Sequence, residues 1–123
     1  MKHVLLLDDY SSVSVGIDAL SEPITVVTEK ELGNPDVYRY TPALLDRLRA
    51  CQGNEFDLVI LGNNQGIGIL KAHSLCDDLR VKTIVVSNMG LDPDIDEAYD
   101  KLGFTKRMTR SELFWKLSEE LGL

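Results

Sequence analysis

Two adjacent carboxylates, Asp8-Asp9, stand directly after the apolar run 4–7. Further along, the run 58–61 leads into Gly62-Asn63-Asn64, and the run 84–86 ends on Ser87. Lys106 follows a short segment that begins at Phe104. Two carboxylates, a hydroxyl and an ammonium are groups suited to holding a divalent cation and the oxygens of a phosphoryl group. Covalent phosphoryl transfer to protein also needs a nucleophile. Position 62, where a third carboxylate would complete such a set, is a glycine. It offers no nucleophile and removes one anionic ligand. Mg²⁺ gives up its water reluctantly, so two carboxylates alone are expected to bind it weakly. Without the ion, Lys106 is expected to pair with Asp8 and take its place.

These residues need elements that gather them. The runs 4–7, 24–27, 58–61 and 84–86 are rich in leucine and β-branched residues, as in strands buried on both faces of a parallel sheet. Helical patterns lie between them. Val13, Ile17 and Leu20 share one helix face. Thr41-Pro42 supplies an N-cap and a first-turn proline for a second helix carrying Leu44, Leu45 and Leu48, which Gly53 closes. A third helix carries Ile69, Ala72, Cys76 and Leu79 on one stripe, which puts Cys76 in the core. Asp92-Pro93 opens a fourth, with Ile95, Ala98 and Leu102 inward and Gly103 as its stop. A short strand is predicted over 104–107. Thr109-Arg110-Ser111-Glu112 is a capping box for the last helix, whose inward face reads Leu113, Phe114, Leu117 and Leu121.

Strand and helix thus alternate five times. That order implies an α/β fold of flavodoxin-like (βα)5 type, a three-layer sandwich around a parallel five-stranded sheet of order 2-1-3-4-5. There the ends of strands one and three are neighbours, and ligands bind beyond them. The segment 29–40 is long against βα loops of roughly 2–6 residues. It admits two readings: an added edge strand around Val37-Tyr38-Arg39-Tyr40, or an ordered loop packed by its tyrosines.

Composition excludes several classes. The 123 residues suit a single domain over 1–123. A net charge of −7 opposes binding to nucleic-acid backbones and to anionic membrane surfaces. No run approaches the roughly 20 apolar residues of a membrane span, and no signal-peptide core is visible. Cys51 and Cys76 fit no metal-ligand spacing and read as reduced thiols of a cytoplasmic protein. Gly62, Gly66 and Gly68 make a loop of the kind that can cradle an anion at a helix start, but it matches neither the dinucleotide nor the P-loop pattern. No nucleophile–base pair stands out, so no enzymatic activity is expected.

Along nearly its whole length the chain resembles a response-regulator receiver domain. Leu7-Asp8-Asp9-Tyr10-Ser11-Ser12 is similar to that family's first-strand acidic motif, and 57–61 to the strand before its phosphorylated aspartate. The run 83–87 resembles the strand ending in the signalling hydroxyl, and Thr105-Lys106 the lysine motif. The resemblance implies a Mg²⁺ site from Asp8, Asp9 and the Asn64 backbone carbonyl, with Ser87 and Lys106 contacting phosphoryl oxygens. Gly62 falls on the acceptor position, Asn88 where a small residue is usual, and Arg107 where a proline follows the lysine. Counting forward from Gly103 puts Arg110 at the lysine position instead; the spacing to the last helix favours Lys106.

The resemblance therefore implies a pseudo-receiver: a cytoplasmic signalling module working without phosphorylation, through a protein partner. The alternative is a small-molecule or metal-binding regulator using the acidic pocket, with 29–40 as a lid. Trp115 points away from the apolar face of the last helix and is a candidate interface anchor. Tyr99 and Phe104 are expected to border it, on the face formed by helix four, strand five and helix five.

Overall fold

A computed structural model describes the backbone of residues 1–123, and every side chain apart from those of Tyr10 and Ser12. Five strands, β1 (Lys2–Leu7), β2 (Ile24–Thr28), β3 (Leu58–Gly62), β4 (Thr83–Ser87) and β5 (Lys106–Thr109), form one sheet. All neighbouring pairs are parallel, and the order is β2-β1-β3-β4-β5. This is the expected flavodoxin-like arrangement. The helices are α1 (Tyr10–Asp18), α2 (Pro42–Ala50), α3 (Ile67–Ala72), α4 (Asp77–Arg80), α5 (Pro93–Lys101) and α6 (Arg110–Glu120).

The continuous apolar strands have a simple cause. Successive side chains point to opposite faces of a sheet, and here both faces are covered. Leu5, Leu7, Val59, Leu61 and Val85 pack with Leu44, Leu48, Tyr99 and Phe104 on one side. Val4, Leu6, Leu58, Ile60, Ile84 and Val86 pack with Val13, Ile17, Leu113, Leu117 and Leu121 on the other.

Three expectations change. The third helix is broken: α3 ends at Ala72 and α4 begins at Asp77, with a turn between. Leu75 takes the buried place, and Cys76 becomes an exposed N-cap rather than a core residue. Arg80 stabilises the break. Its guanidinium donates to the carbonyls of Leu75 at 2.9 Å and His73 at 3.5 Å, and to that of Leu102 at 3.0 Å. The last strand lies two residues later than predicted, because Phe104 is fully buried before the strand begins. Phe114 does not face inward: it is 40% exposed, stacked edge-to-face on Trp115 and against Gly16, where an added Cβ would lie 3.4 Å away.

Segment 29–40 contains no strand. It is an ordered loop, though its tyrosines do not pack it: Tyr38 and Tyr40 are largely exposed. Buried Leu32, Glu29 and Asn34 hold it instead. The Glu29 carbonyl accepts from the backbone N–H groups of Leu32 and Asn34. Among the described residues, no helix is long and apolar enough to cross a membrane.

Candidate functional site

Asp8 leaves the C-terminal end of β1 with its side chain completely buried. A buried carboxylate is tolerable only when paired and hydrogen-bonded. Arg110 supplies the partner. Its Nε donates to Asp8 Oδ2 and its Nη2 to Asp8 Oδ1, both at 2.8 Å. Nη2 also reaches Asn64 Oδ1 at 3.0 Å, and Nη1 reaches Asn88 Oδ1 at 2.9 Å. One guanidinium thereby joins the ends of β1, β3 and β4. The hydrogen bonds that Arg110 donates to Asp8 raise its pKa above its already high value, so it remains charged.

Local sequence places Arg110. It is the first residue of α6, and the Thr109 capping box fixes that helix start. Thr109 Oγ1 accepts from the Glu112 backbone N–H at 3.1 Å, and Glu112 Oε1 accepts from the Thr109 N–H at 3.2 Å. The expected Lys106–Asp8 pair does not form. In a parallel sheet the first residue of β5 lies at the edge opposite the strand C-termini, and Lys106 pairs there with Glu120 at 2.5 Å.

Gly62 has a steric role at this point. A Cβ there would lie 2.7 Å from Asn64 Nδ2, 2.6 Å from Asp8 Cγ and closer still to Asp8 Oδ1. The Asp8 carboxylate fills the space that a side chain at 62 would need. Asn64 contributes its side-chain oxygen to Arg110, while its backbone carbonyl accepts from Ile67 N–H at 3.3 Å. The carbonyl expected to face a metal is thus engaged locally. Asp9 is exposed and caps α1, accepting from Ser11 N–H at 3.0 Å. Ser87 Oγ accepts from Gly90 N–H at 3.1 Å, closing its own turn. Both oxygens of Asp8 are already held by a cation of the chain itself, so the set does not fit Mg²⁺. Among the described residues, no group of three His, Cys, Asp or Glu side chains is placed to hold a metal.

In the glycine-rich loop two of the backbone donors are turned inward on the loop itself. Gly68 N–H donates to Asn63 O, and Ile67 N–H to Asn64 O. Tyr99 and Phe104 are fully buried, their rings edge-to-face at 5.9 Å. The Tyr99 hydroxyl donates to Asn63 Oδ1 at 3.0 Å. Of the three expected interface residues only Trp115 is on the surface, 83% exposed.

One feature escaped the sequence reading. Lys71, fully buried, sits on α3 with its Nζ 2.6 Å from Glu29 Oε1, out of line for a hydrogen bond. It donates to the Val37 carbonyl at 2.8 Å. Burial raises the Glu29 pKa; Lys71 and the nearby Asn34 amide oppose this without overcoming it. The available signal was a single charge inside the otherwise apolar helix Ile67–Ala72. Between this strut and the ends of β1 and β2 lies a cavity of about 330 Å³. Compared with known protein families, curated proteins and solved structures, the chain matches none.

Proposed function

We propose that this chain is a signalling module of pseudo-receiver type, non-enzymatic and cytoplasmic, whose state does not depend on aspartyl phosphorylation. The observation that carries this reading is Arg110 bound through two nitrogens to Asp8, beside a glycine at position 62. A built-in cation stands where a phosphoryl-transfer site would recruit Mg²⁺, and position 62, where the acceptor would stand, carries no nucleophile. Output would pass through contacts with a protein partner. Trp115, exposed beside Phe114 on α6, is the anchor on this reading.

The test is incubation with acetyl phosphate and Mg²⁺ followed by intact mass measurement. Neither the wild type nor Gly62→Asp should gain a phosphoryl group, because the new carboxylate would collide with Asp8 and meet no free cation. A phosphoryl adduct on Asp8 or Asp9 of the wild type would overturn the reading. Efficient labelling of Gly62→Asp would show that the glycine alone blocked the chemistry.

A second reading, a regulator that binds a small molecule, is favoured by the cavity under the 29–40 loop.

A further inference from the structure

We propose that the outer edge of β2 is a self-association surface, where a second copy of this chain adds its own β2 in antiparallel register and joins the two sheets into one. β2 closes one side of the sheet, with β1 as its strand neighbour. The register fixes which of its backbone groups look outward. His3 turns both of its groups to Asp57, on the β3 side of β1. Its carbonyl accepts from the Asp57 N–H at 2.8 Å, and its N–H donates to Asp57 Oδ2 at 2.8 Å. Backbone groups alternate sides along a strand, so Lys2, Val4 and Leu6 turn theirs to β2. With Val4 opposite Val26, the β2 residues that answer are Thr25 and Val27. Ile24, Val26 and Thr28 therefore present their N–H and C=O groups to the outside. Thr28 bears this out: its N–H meets Glu31 Oε1, at 3.4 Å.

Such a row of groups is a template for another strand, and natural sheets guard it with charges, proline or bulges. The opposite edge is guarded in this way. β5 carries Lys106 and Arg107, tied by ion pairs to Glu120, Asp96 and Asp100. β2, Ile24-Thr25-Val26-Val27-Thr28, holds neither a charge nor a proline. Pro23 stands just before it, on the alternation that faces β1, so its missing N–H takes nothing from the outer edge. The Glu31 contact is long for an N–H···O bond and occupies the last residue of the strand.

The outward set is complementary to itself. In an antiparallel ladder, the residues of a hydrogen-bonded pair exchange both of their bonds. A two-fold axis at Val26 pairs that residue with its own copy and Ile24 with Thr28 on either side. In this register every outward donor of the strand finds an acceptor. Opposed side chains share a face of the sheet, so Val26 meets Val26, Ile24 meets Thr28 and Thr25 meets Val27. All are β-branched pairs, which suit a sheet. Charge selects the same orientation. Glu22 precedes the strand and Lys30 follows it, both exposed. Antiparallel pairing brings the Glu22 end of each copy to the Lys30 end of the other, whereas parallel pairing would set like charge on like.

The experiment is sedimentation equilibrium of the full chain. A contact built on one short strand is expected to be weak, so loadings run from about 1 μM to 1 mM. The average mass should climb from one chain toward two; a mass of one chain throughout would overturn the inference. Amide hydrogen exchange followed by NMR reads the geometry. The N–H groups of Ile24, Val26 and Thr28 should gain protection as concentration rises, while those of Thr25 and Val27, already bonded to β1, should change little. Protection gained by neither set, or equally by both, would overturn it. Glu22→Lys should weaken association severalfold, although it makes the net charge of −7 less negative and so lowers the general repulsion between copies. Adding Lys30→Glu should restore it. Both residues are exposed, so the fold is kept. Association unchanged by the single substitution, or not restored by the second, would count against the β2 edge. Trp115→Ala, which probes the signalling contact, should leave self-association intact; its loss would move the interface to α6 and overturn the inference.

Discussion

Arg110 commits all three of its guanidinium nitrogens, to Asp8, Asn64 and Asn88. Fork-shaped pairing with a carboxylate needs this side chain, and a lysine cannot reproduce it. Truncation to Arg110→Ala would remove the guanidinium that holds both oxygens of the buried Asp8 carboxylate. The expected loss is about 3–5 kcal/mol, read from urea unfolding; a loss below about 1 kcal/mol, the usual worth of a surface pair, would mean that the bridge is incidental. This residue was only half legible in the sequence. Spacing offered both Lys106 and Arg110, and the choice turned on where β5 begins. Phe104 is drawn into the core ahead of the strand, which moves β5 along and sends Lys106 to the opposite edge. Gly62 was legible as a missing nucleophile. That its hydrogen makes room for Asp8 is a packing fact that no single position reveals.

At the scale of elements, α3 and the 29–40 loop are held together by Lys71 and Glu29. Removing one partner of a buried pair costs far more than the pair contributes. Lys71→Met should therefore cost about 3–5 kcal/mol at neutral pH. Glu29 has a native pKa raised above 4.5 by burial, with Asp8 also raising it and Lys71 and Asn34 lowering it. Losing Lys71 raises it further. The native state then takes up a proton at a higher pH than the unfolded chain does. Stability from a raised carboxylate is fully present below the unfolded pKa and is lost as pH rises through the native one. The penalty of Lys71→Met should thus shrink as pH falls toward 4.5, followed as the difference in urea midpoint from wild type. A penalty that grows on acidification would contradict the assignment. The break between α3 and α4 belongs to the same scale. The stripe Ile69, Ala72, Cys76, Leu79 fitted one helix, but the guanidinium of Arg80, donating to the carbonyls of His73 and Leu75 in the break and to that of Leu102 across the chain, favoured two. Side-chain hydrogen bonds of this kind leave no periodic trace in the sequence.

For the molecule as a whole, the topology was legible because each strand between Val4 and Val86 is apolar on both faces, and only a sheet covered on both sides requires that. The surface was less legible. Helical angle alone separated Trp115, which is exposed, from Leu113 and Leu117, which are not. The family resemblance failed for Tyr99 and Phe104, which were expected to border the same face and instead lie in the core. Trp115→Ala should shift stability by no more than about 0.5 kcal/mol, as for an ordinary surface substitution. On the signalling reading it should abolish capture of a partner that the wild type retains. Equal capture by both proteins would remove α6 as the contact face.

The Asp8–Arg110 bridge also spans 102 residues of chain. Closing long loops is entropically costly, and contacts of high sequence separation form late in folding. A contact absent from the transition state governs the unfolding rate and leaves the folding rate nearly untouched. In Arg110→Ala the loss should therefore fall on the unfolding arm of the kinetics. On that expectation the bridge would act as a latch that closes late, setting how long a folded molecule endures rather than how quickly it arises.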